Sequence, residues 1–442
     1  MSKPSLPKKG TSPEDVLKQL EAHRGEDVDW KHGKTFSLVY YAGEQVMQLL
    51  HDAYSMFMAE NGLSPMAFPS LRDMENEVVA MTANMLHGGD GAAGSMTSGG
   101  TESIFMAMKT ARQWARKHRP EIDKPKIIAP VSAHPAFVKS AHYLDMAIEF
   151  APLRDDWKAD PEAMRAMVDE ETVVLVGSAI CYPYGVVDPI EEIAAVADER
   201  GILMHVDACL GGFMLPFVSE LGYEVPIWDF RAKGVTSISA DVHKYGYAAK
   251  GASTVTYRDA ELRKLQFYAY SDWPGGIYVT PTMAGARPGG AVAAAWAVMH
   301  HLGEDGYVKL AKVAMDATRR IRQGIDSIDG LRVMGEPSMT VLAFDSDEVD
   351  VFTVGSKMDA RGWHLDRNQF PAALHIMVTP AHAEVADRLI EDLRQAVEEA
   401  RKEPAGAAEG MAAIYGAAAA MPDRGAVNDF AISFMDSLYT IS

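Results

Sequence analysis

Residues 235–257, VTSISADVHKYGYAAKGASTVTY, contain two short apolar runs on either side of a polar loop, and this stretch decides the fold. The runs Val235–Ile238 and Ser253–Tyr257 have the length and the β-branched composition of buried strands. The loop between them, which includes Gly246–Gly251, is too short for a crossover helix. The stretch therefore predicts two strands of one sheet, paired antiparallel.

Upstream of this stretch, three further apolar runs predict buried strands: Ile127–Val131, Val173–Val176 and Ile202–Val206. Segments with helical spacing separate most of them, such as Ile190–Glu199, and the helical run Ile104–Lys117 precedes them all. Alternating strands and helices are typical of a parallel sheet with helices packed on both faces. We expect an α/β fold with a mostly parallel sheet, followed by a small α+β domain at the C-terminus.

The chain of 442 residues is long enough for two or three folding units. Residues 1–65 are predicted to be an N-terminal helical segment, because helical spacing runs from Pro13 to about Glu60. Residues 66–302 are predicted to form the large α/β domain, and residues 303–442 the small α+β domain. Gly406–Met421, rich in alanine and glycine, is either a flexible linker or a tightly packed segment.

Composition excludes several classes of protein. With 42 basic and 61 acidic side chains the formal net charge is −19, which disfavours nucleic acid as a partner. The two cysteines, Cys181 and Cys209, support neither a disulfide framework nor a zinc site and fit a reducing compartment. No signal peptide and no transmembrane segment is recognisable. The sequence therefore predicts a soluble cytoplasmic protein.

Chemically active side chains lie at or just beyond the carboxyl ends of the predicted strands. They are His134, Asp207, His243 and Lys244. Ligands of open parallel sheets bind at this edge. We therefore expect these four side chains to line one pocket.

A glycine-rich turn, Thr97–Ser103 (TSGGTES), leads directly into the predicted long helix. Gly100 lets the backbone approach a ligand closely, and the first N–H groups of the helix can bind a phosphate. The simpler alternative is that Ser98 or Thr101 only caps the helix. Taken alone, the turn favours capping.

Asp207 and Lys244 each have a functional and a structural interpretation. Asp207 could cap the next turn or keep a pyridine nitrogen protonated. Lys244 could be a solvated surface lysine, but a lysine at a strand end is costly to bury and so favours a chemical role. A metal site built from His205, Asp207 and His243 would leave Lys244 and the phosphate turn unexplained, so we predict no metal.

Together these motifs resemble the group II decarboxylase superfamily of fold-type I enzymes, which use pyridoxal 5'-phosphate (PLP), and within it the sphingosine-1-phosphate lyases. The resemblance runs from about Tyr40 to the C-terminus. Five motifs in the family's order carry it: TSGGTES (97–103), HVDACLGGF (205–213), SISADVHKYGYAAKG (237–251), GARPG (285–289) and YGAAAAMPDRG (415–425).

The resemblance implies a role for each matching residue. Lys244 would form the Schiff base with PLP, Asp207 would pair with its pyridine nitrogen, and His134 would stack on its ring. Gly100, Thr101 and His243 would hold the phosphate. Tyr40 and Lys250 match an active-site tyrosine and a second lysine of the lyases, and Arg287 lies in a region that reaches the cofactor phosphate of a partner subunit.

The implied activity is cleavage of a phosphorylated sphingoid base, or a similar small phosphorylated amine, by a homodimer with its site at the interface. The products would be a long-chain aldehyde and phosphoethanolamine. An amino-acid decarboxylase of the same superfamily is the alternative, and a binding protein without cofactor is the third possibility. Departures from the lyase pattern at Ser64, Ala249 and Ala286 bear on the substrate rather than on the chemistry.

Overall fold

The computed structural model describes residues 5–403 and 410–439, and its centre is a seven-stranded sheet in the order β1-β7-β6-β5-β4-β2-β3. All neighbouring strands are parallel except β7, which pairs antiparallel with both β6 and β1. The strands are β1 (Ala93–Thr97), β2 (Lys126–Pro130), β3 (Ala147–Ala151), β4 (Thr172–Ser178), β5 (Leu203–Asp207), β6 (Ser237–Ala240) and β7 (Ser253–Tyr257). The predicted antiparallel pairing is confirmed.

Fourteen α-helices occur in the described part of the chain. They are α1 (Pro13–His23), α2 (Glu44–Met56), α3 (Pro69–Met85), α4 (Gly100–His118), α5 (Ala136–Leu144), α6 (Pro161–Met167), α7 (Ile190–Arg200), α8 (Leu215–Glu220), α9 (Ala260–Lys264), α10 (Gly289–Asp326), α11 (Val351–Ala360), α12 (Ala386–Ala400), α13 (Gly410–Ala420) and α14 (Arg424–Leu438).

The large sheet is buried on both faces, as the uninterrupted apolar runs predict. In β4, Val174 and Val176 point into the core formed with α4 and α5, whereas Leu175 points into the core formed with α3, α7 and α10. Successive side chains of a strand alternate between faces, so every residue of such a strand must be apolar or internally satisfied. The predicted fold class, with helices on both faces, is confirmed.

A second, antiparallel sheet of four strands lies in the C-terminal part of the chain, in the order β10-β11-β13-β12. Its core is formed with α11, α12 and the last third of α10. The strands are β10 (Arg332–Val333), β11 (Val341–Asp345), β12 (Asp366–Gln369) and β13 (Ala372–Met377), and a separate hairpin joins β8 (Tyr268–Tyr270) to β9 (Tyr278–Thr280).

Helix α10 contributes to both cores. Its side chains from Val292 to Met315 pack in the core of the large sheet, and those from Ala317 to Ile325 pack in the core of the small sheet. The helix bends at Gly303, where φ is 55° and ψ is −177°. Because φ lies in the left-handed region, glycine is the residue that adopts this conformation at least cost. The predicted domain boundary at residue 303 falls at this bend and stays a prediction.

The prediction that the segment from Pro13 to about Glu60 is helical was wrong in part. The structure is helical over Pro13–His23 and Glu44–Met56, but most of the segment between them is irregular. There Phe36 is fully buried against the small sheet, and Thr35 forms a parallel bridge with His364. Tertiary packing of this connection overrides its local spacing and carries Tyr40 to the site described below.

The C-terminal alanine-rich segment is helical over Gly410–Ala420, and α14 follows it. Residues 406–409 of this segment, for which a flexible linker and a tightly packed segment were the two predictions, lie outside the described residues. Within residues 5–403 and 410–439, no helix has both the length and the apolar composition needed to cross a membrane.

Candidate active site

A cavity of about 490 Å³ lies at the carboxyl edge of the large sheet. Strands β4, β5 and β6 end there at Ser178, Asp207 and Ala240. Strand β1 runs parallel to β6, because both are antiparallel to β7, and so the turn after Thr97 reaches the same edge. The topology thus brings together side chains that are more than 100 residues apart in sequence.

Eight of the nine predicted site residues line this cavity: Tyr40, Gly100, Thr101, His134, Asp207, His243, Lys244 and Lys250. The ninth, Arg287, lies beside a separate small cavity. Its guanidinium donates to Glu75 Oε1 at 2.7 Å and to the Gly62 carbonyl at 3.1 Å. The predicted contact of Arg287 with a partner subunit's cofactor stays a prediction.

Lys244 lies at the centre of the site and forms an ion pair with Asp241, with 3.0 Å between Nζ and Oδ2. Burial alone would lower the pKa of Lys244, but Asp241 and the other acidic groups of the site, among them Asp207, together outweigh it, and the net pKa is raised. Burial likewise opposes ionisation of Asp241, yet the positive charge of Lys244, together with hydrogen bonds to the carboxyl, lowers the pKa of Asp241. The cavity therefore stabilises a positive charge at the lysine nitrogen.

The turn before α4 offers free backbone N–H groups to the cavity. No side chain caps this helix, and in the described residues no acceptor bonds the N–H groups of Gly100 and Thr101. A Cβ at Gly100 would lie 2.8 Å from both Asp241 Oδ2 and Cys209 Sγ, so glycine is required. The alternative that Ser98 or Thr101 caps the helix is therefore wrong. An uncapped helix N-terminus suits a phosphate, because its N–H groups and its dipole both favour an anion.

Asp207 has one carboxylate oxygen bound by the protein and one left for a ligand. Oδ1 accepts hydrogen bonds from the Cys209 N–H at 3.1 Å and from Ser239 Oγ at 3.4 Å. Within the described residues no group donates to Oδ2. Because Asp207 lines the cavity, this oxygen can accept a hydrogen bond from a protonated ring nitrogen of a ligand.

Tyr40 and Lys250 meet at one wall of the cavity. Lys250 Nζ lies 5.1 Å from the centre of the Tyr40 ring and also donates to the His243 carbonyl. The side chain of Lys250 is exposed at the edge of the cavity, but partial desolvation by the cavity wall, and then the charge of Lys244, lower its pKa to about 8. Burial raises the pKa of Tyr40, whose hydroxyl contacts Met377 Sδ at 3.2 Å. The pair therefore places a protonated phenol beside an amine that can lose its proton near neutral pH.

The two histidines of the site are each oriented by a backbone N–H. His243 Nδ1 accepts from the Ala252 N–H at 3.2 Å, and His134 Nδ1 accepts from the Ala136 N–H at 3.1 Å. Burial lowers the pKa of His243 to about 4, so its ring is neutral at physiological pH. Both rings line the cavity, where their Nε2 atoms remain to contact a ligand.

The sequence patterns did not indicate Asp241, Tyr182 or Asp366, which also line the cavity. Tyr182 follows β4 by four residues, and its hydroxyl donates to Asp366 Oδ2 at 2.8 Å. The strand-end rule that singled out Asp207 could also have found Asp241 and Tyr182. Asp366 comes from β12 of the small sheet, and no local pattern distinguishes it.

These residues fit PLP on their own geometry. Lys244 offers an amine, Asp207 offers an open carboxylate oxygen, and the start of α4 offers phosphate ligands in the same cavity. His205, from the rejected metal alternative, lies in the core, where hydroxyl groups bind both of its ring nitrogens. It is therefore not available to a metal ion alongside Asp207 and His243.

Comparison with known proteins gives concordant results. Residues 2–346 match the family described as the pyridoxal-dependent decarboxylase conserved domain. Sphingosine-1-phosphate lyase of Arabidopsis thaliana is 46% identical over 98% of this chain and 81% of its own length. The structure of sphingosine-1-phosphate lyase from Burkholderia pseudomallei superposes with a TM-score of 0.88 at 40% identity and covers 91% of this chain and 94% of its own. Glutamate decarboxylase of Lactobacillus brevis shares the fold, with a TM-score of 0.79 at 20% identity. That structure covers 91% of this chain and 96% of its own.

Proposed function

Because this chain belongs to the pyridoxal-dependent decarboxylase family, and within it to the sphingosine-1-phosphate lyases, we propose that it is a PLP-dependent lyase of phosphorylated sphingoid bases. The bond between C2 and C3 of the substrate breaks, the C3 hydroxyl loses its proton and becomes an aldehyde, and C2 gains a proton. The products are a long-chain aldehyde and phosphoethanolamine. The observation that carries the proposal is the contact of Tyr40 with Lys250 in the cavity that Lys244 lines, because the resemblance to the lyases implies an active-site role for both residues.

When bound, PLP supplies an aldehyde that condenses with amines and a protonated pyridine ring that accepts the electrons of a breaking bond. Lys244 would hold the cofactor covalently, and Asp207 Oδ2 would hold the proton on the pyridine nitrogen. The N–H groups of Gly100 and Thr101, with His243, would bind the phosphate. His134 would pack against the ring and fix its orientation.

Tyr40 and Lys250 would transfer protons during the reaction and bind the negatively charged phosphate of the substrate. The pKa of Lys250, lowered to about 8, lets this amine exchange a proton near neutral pH. The phenol of Tyr40 remains protonated and can donate to a substrate oxygen. Their positions suit removal of the C3 hydroxyl proton and neutralisation of the substrate's phosphate.

The reaction class is tested by measuring both products of one incubation. Purified protein loaded with PLP and given sphinganine 1-phosphate should release a long-chain aldehyde and phosphoethanolamine in equal amounts, without carbon dioxide. Amino acids such as glutamate, aspartate and tyrosine should release no carbon dioxide at comparable enzyme concentration. Carbon dioxide from an amino acid with no aldehyde from the sphingoid base would identify a decarboxylase instead.

The predicted homodimer is the second part of the proposal. Large apolar side chains are exposed on the β8–β9 hairpin and beside it, among them Trp273, Ile277 and Met283. The Met283 N–H donates to Glu102 Oε1 at 2.9 Å, and Glu102 lines the active-site cavity, so this surface adjoins the site. A second copy of the chain would cover it.

Sedimentation of the PLP-loaded protein should give twice the monomer mass of 48.1 kDa at assay concentration. Replacing Trp273 and Ile277 by Asp should shift the protein to monomers with greatly reduced activity. A fully active monomer would contradict a shared site.

The predicted cytoplasmic location stays a prediction.

A further inference from the structure

A chain of buried polar side chains lies behind Asp207, on the side away from the cavity. His205, fully buried in β5, contacts Ser237 Oγ through Nδ1 at 2.9 Å and Ser239 Oγ through Nε2 at 3.2 Å. Ser239 Oγ in turn lies 3.4 Å from Asp207 Oδ1. Nothing in the proposed chemistry uses these three residues, yet burying them requires that each polar atom be satisfied.

The proton positions in this chain follow from the carboxylate at its end. An ionised carboxylate only accepts hydrogen bonds, so the hydroxyl proton of Ser239 must point to Asp207 Oδ1. The oxygen of Ser239 then has two lone pairs to fill. The buried thiol of Cys209, whose pKa is raised mainly by burial, stays protonated and donates to one at 3.3 Å.

His205 must donate to the second lone pair of Ser239 through Nε2–H. Burial lowers the pKa of His205 to about 4, so the ring carries a single proton at neutral pH. With that proton on Nε2, Nδ1 accepts a hydrogen bond from the hydroxyl of Ser237. If the hydrogen bonds ran the other way, Ser239 would donate to His205 and turn its lone pairs towards Asp207 Oδ1. Asp207 Oδ1 would then accept only the hydrogen bond from the Cys209 N–H.

We propose that Ser237, His205 and Ser239 form a directed chain of hydrogen bonds that ends on Asp207 and stabilises its negative charge. The three are positioning residues, because none of them lines the cavity. Each donor in the chain polarises the next, and a charged acceptor gains more from such a bond than a neutral one. This inference rests on the proposed function, specifically on Asp207 as the partner of the pyridine nitrogen.

The two serines provide a matched pair of variants, since both contact His205 but only Ser239 contacts Asp207. We expect Ser239→Ala to raise the dissociation constant of PLP about tenfold, as for loss of a hydrogen bond to a charged group. Ser237→Ala should change it by less than about twofold, because His205 can still donate to Ser239. The same two variants, loaded with PLP labelled with ¹⁵N in the ring, report the protonation of the pyridine nitrogen by NMR. Ser239→Ala should shift its ¹⁵N resonance towards the unprotonated position, and Ser237→Ala should not.

Asp207→Asn separates failure of this inference from failure of the proposed function. If Asp207→Asn shifts the ¹⁵N resonance and weakens PLP binding but Ser239→Ala does neither, the directed chain is wrong and the role of Asp207 stands. If Asp207→Asn changes neither quantity, the proposed cofactor contact itself is wrong. Equal effects of the two serine variants would show a role in packing alone and would also overturn the chain.

A second pair covers the case in which Ser239→Ala does not fold. His205→Gln keeps an amide donor that can reach Ser239, whereas His205→Leu removes every donor at similar volume. The expected ¹⁵N shift then occurs in His205→Leu and is largely reversed in His205→Gln. Identical resonances in these two variants would contradict the proposal.

Discussion

Lys244→Ala should abolish aldehyde release, with a loss on the order of 10⁴-fold or more, while the fold is retained. The loss is this large because Lys244 is the amine that would hold the cofactor covalently, and no other residue can replace a covalent catalyst. Its removal leaves Asp241 without the cation 3.0 Å away, so some loss of stability is also expected. Turnover of sphinganine 1-phosphate and the thermal unfolding curve measure the two effects separately.

The control for this variant is Lys264→Ala, which removes an exposed lysine on α9 and should leave activity unchanged. Borohydride reduction of the wild-type protein, which fixes the cofactor to its lysine, followed by peptide mapping, should place the label on Lys244. A label on Lys250 would overturn the assignment even if Lys244→Ala were inactive.

Tyr40→Phe and Lys250→Met should each lower kcat by on the order of 100-fold, as for the loss of a general acid or base. Both variants should keep the visible absorbance of bound cofactor and nearly normal PLP affinity, because neither residue is among those expected to hold it. Lys250→Met also removes the cation that lies over the Tyr40 ring. Stopped-flow mixing with sphinganine 1-phosphate should show substrate binding at a normal rate, followed by slow aldehyde release.

Tyr41→Phe is the matched control for the tyrosine, since Tyr41 is the next residue in sequence and does not line the cavity. It should turn over at the wild-type rate. If Tyr40→Phe and Lys250→Met also turn over at that rate, the two residues serve packing and surface charge, and the proton transfers must be assigned elsewhere.

The strands of the large sheet were predictable where side chains alone specify them. β4, β5 and β7 consist mainly of apolar and β-branched residues and are buried on both faces, and their positions follow from the sequence within one or two residues. β1 was not predicted, because its sequence AGSMT has little strand propensity. Its pairing depends on the close approach of the partner strand, since a Cβ at Gly94 would meet the Val255 carbonyl at 2.6 Å. Such a strand is specified by its neighbour.

The site was predictable to the extent that strand ends and family motifs mark it. Both kinds of signal are local in sequence, and they lead to Lys244, Asp207 and the turn at Gly100. Asp366 could not be predicted from the sequence, because it reaches the cavity from the small sheet and only the packed fold brings the two together. The tautomer of His205 could not be predicted either, because it depends on hydroxyl groups of the neighbouring strand β6.

The bend and the shared packing of α10 have a consequence for how the protein loses its structure. A helix that fills both cores couples their stabilities, because unfolding either one strips apolar contacts from a segment that the other still needs. The two sheets are therefore expected to melt as one cooperative unit, although each has its own interior. A chain cut near Gly303 would leave each fragment with an uncovered apolar stripe and so with a tendency to aggregate.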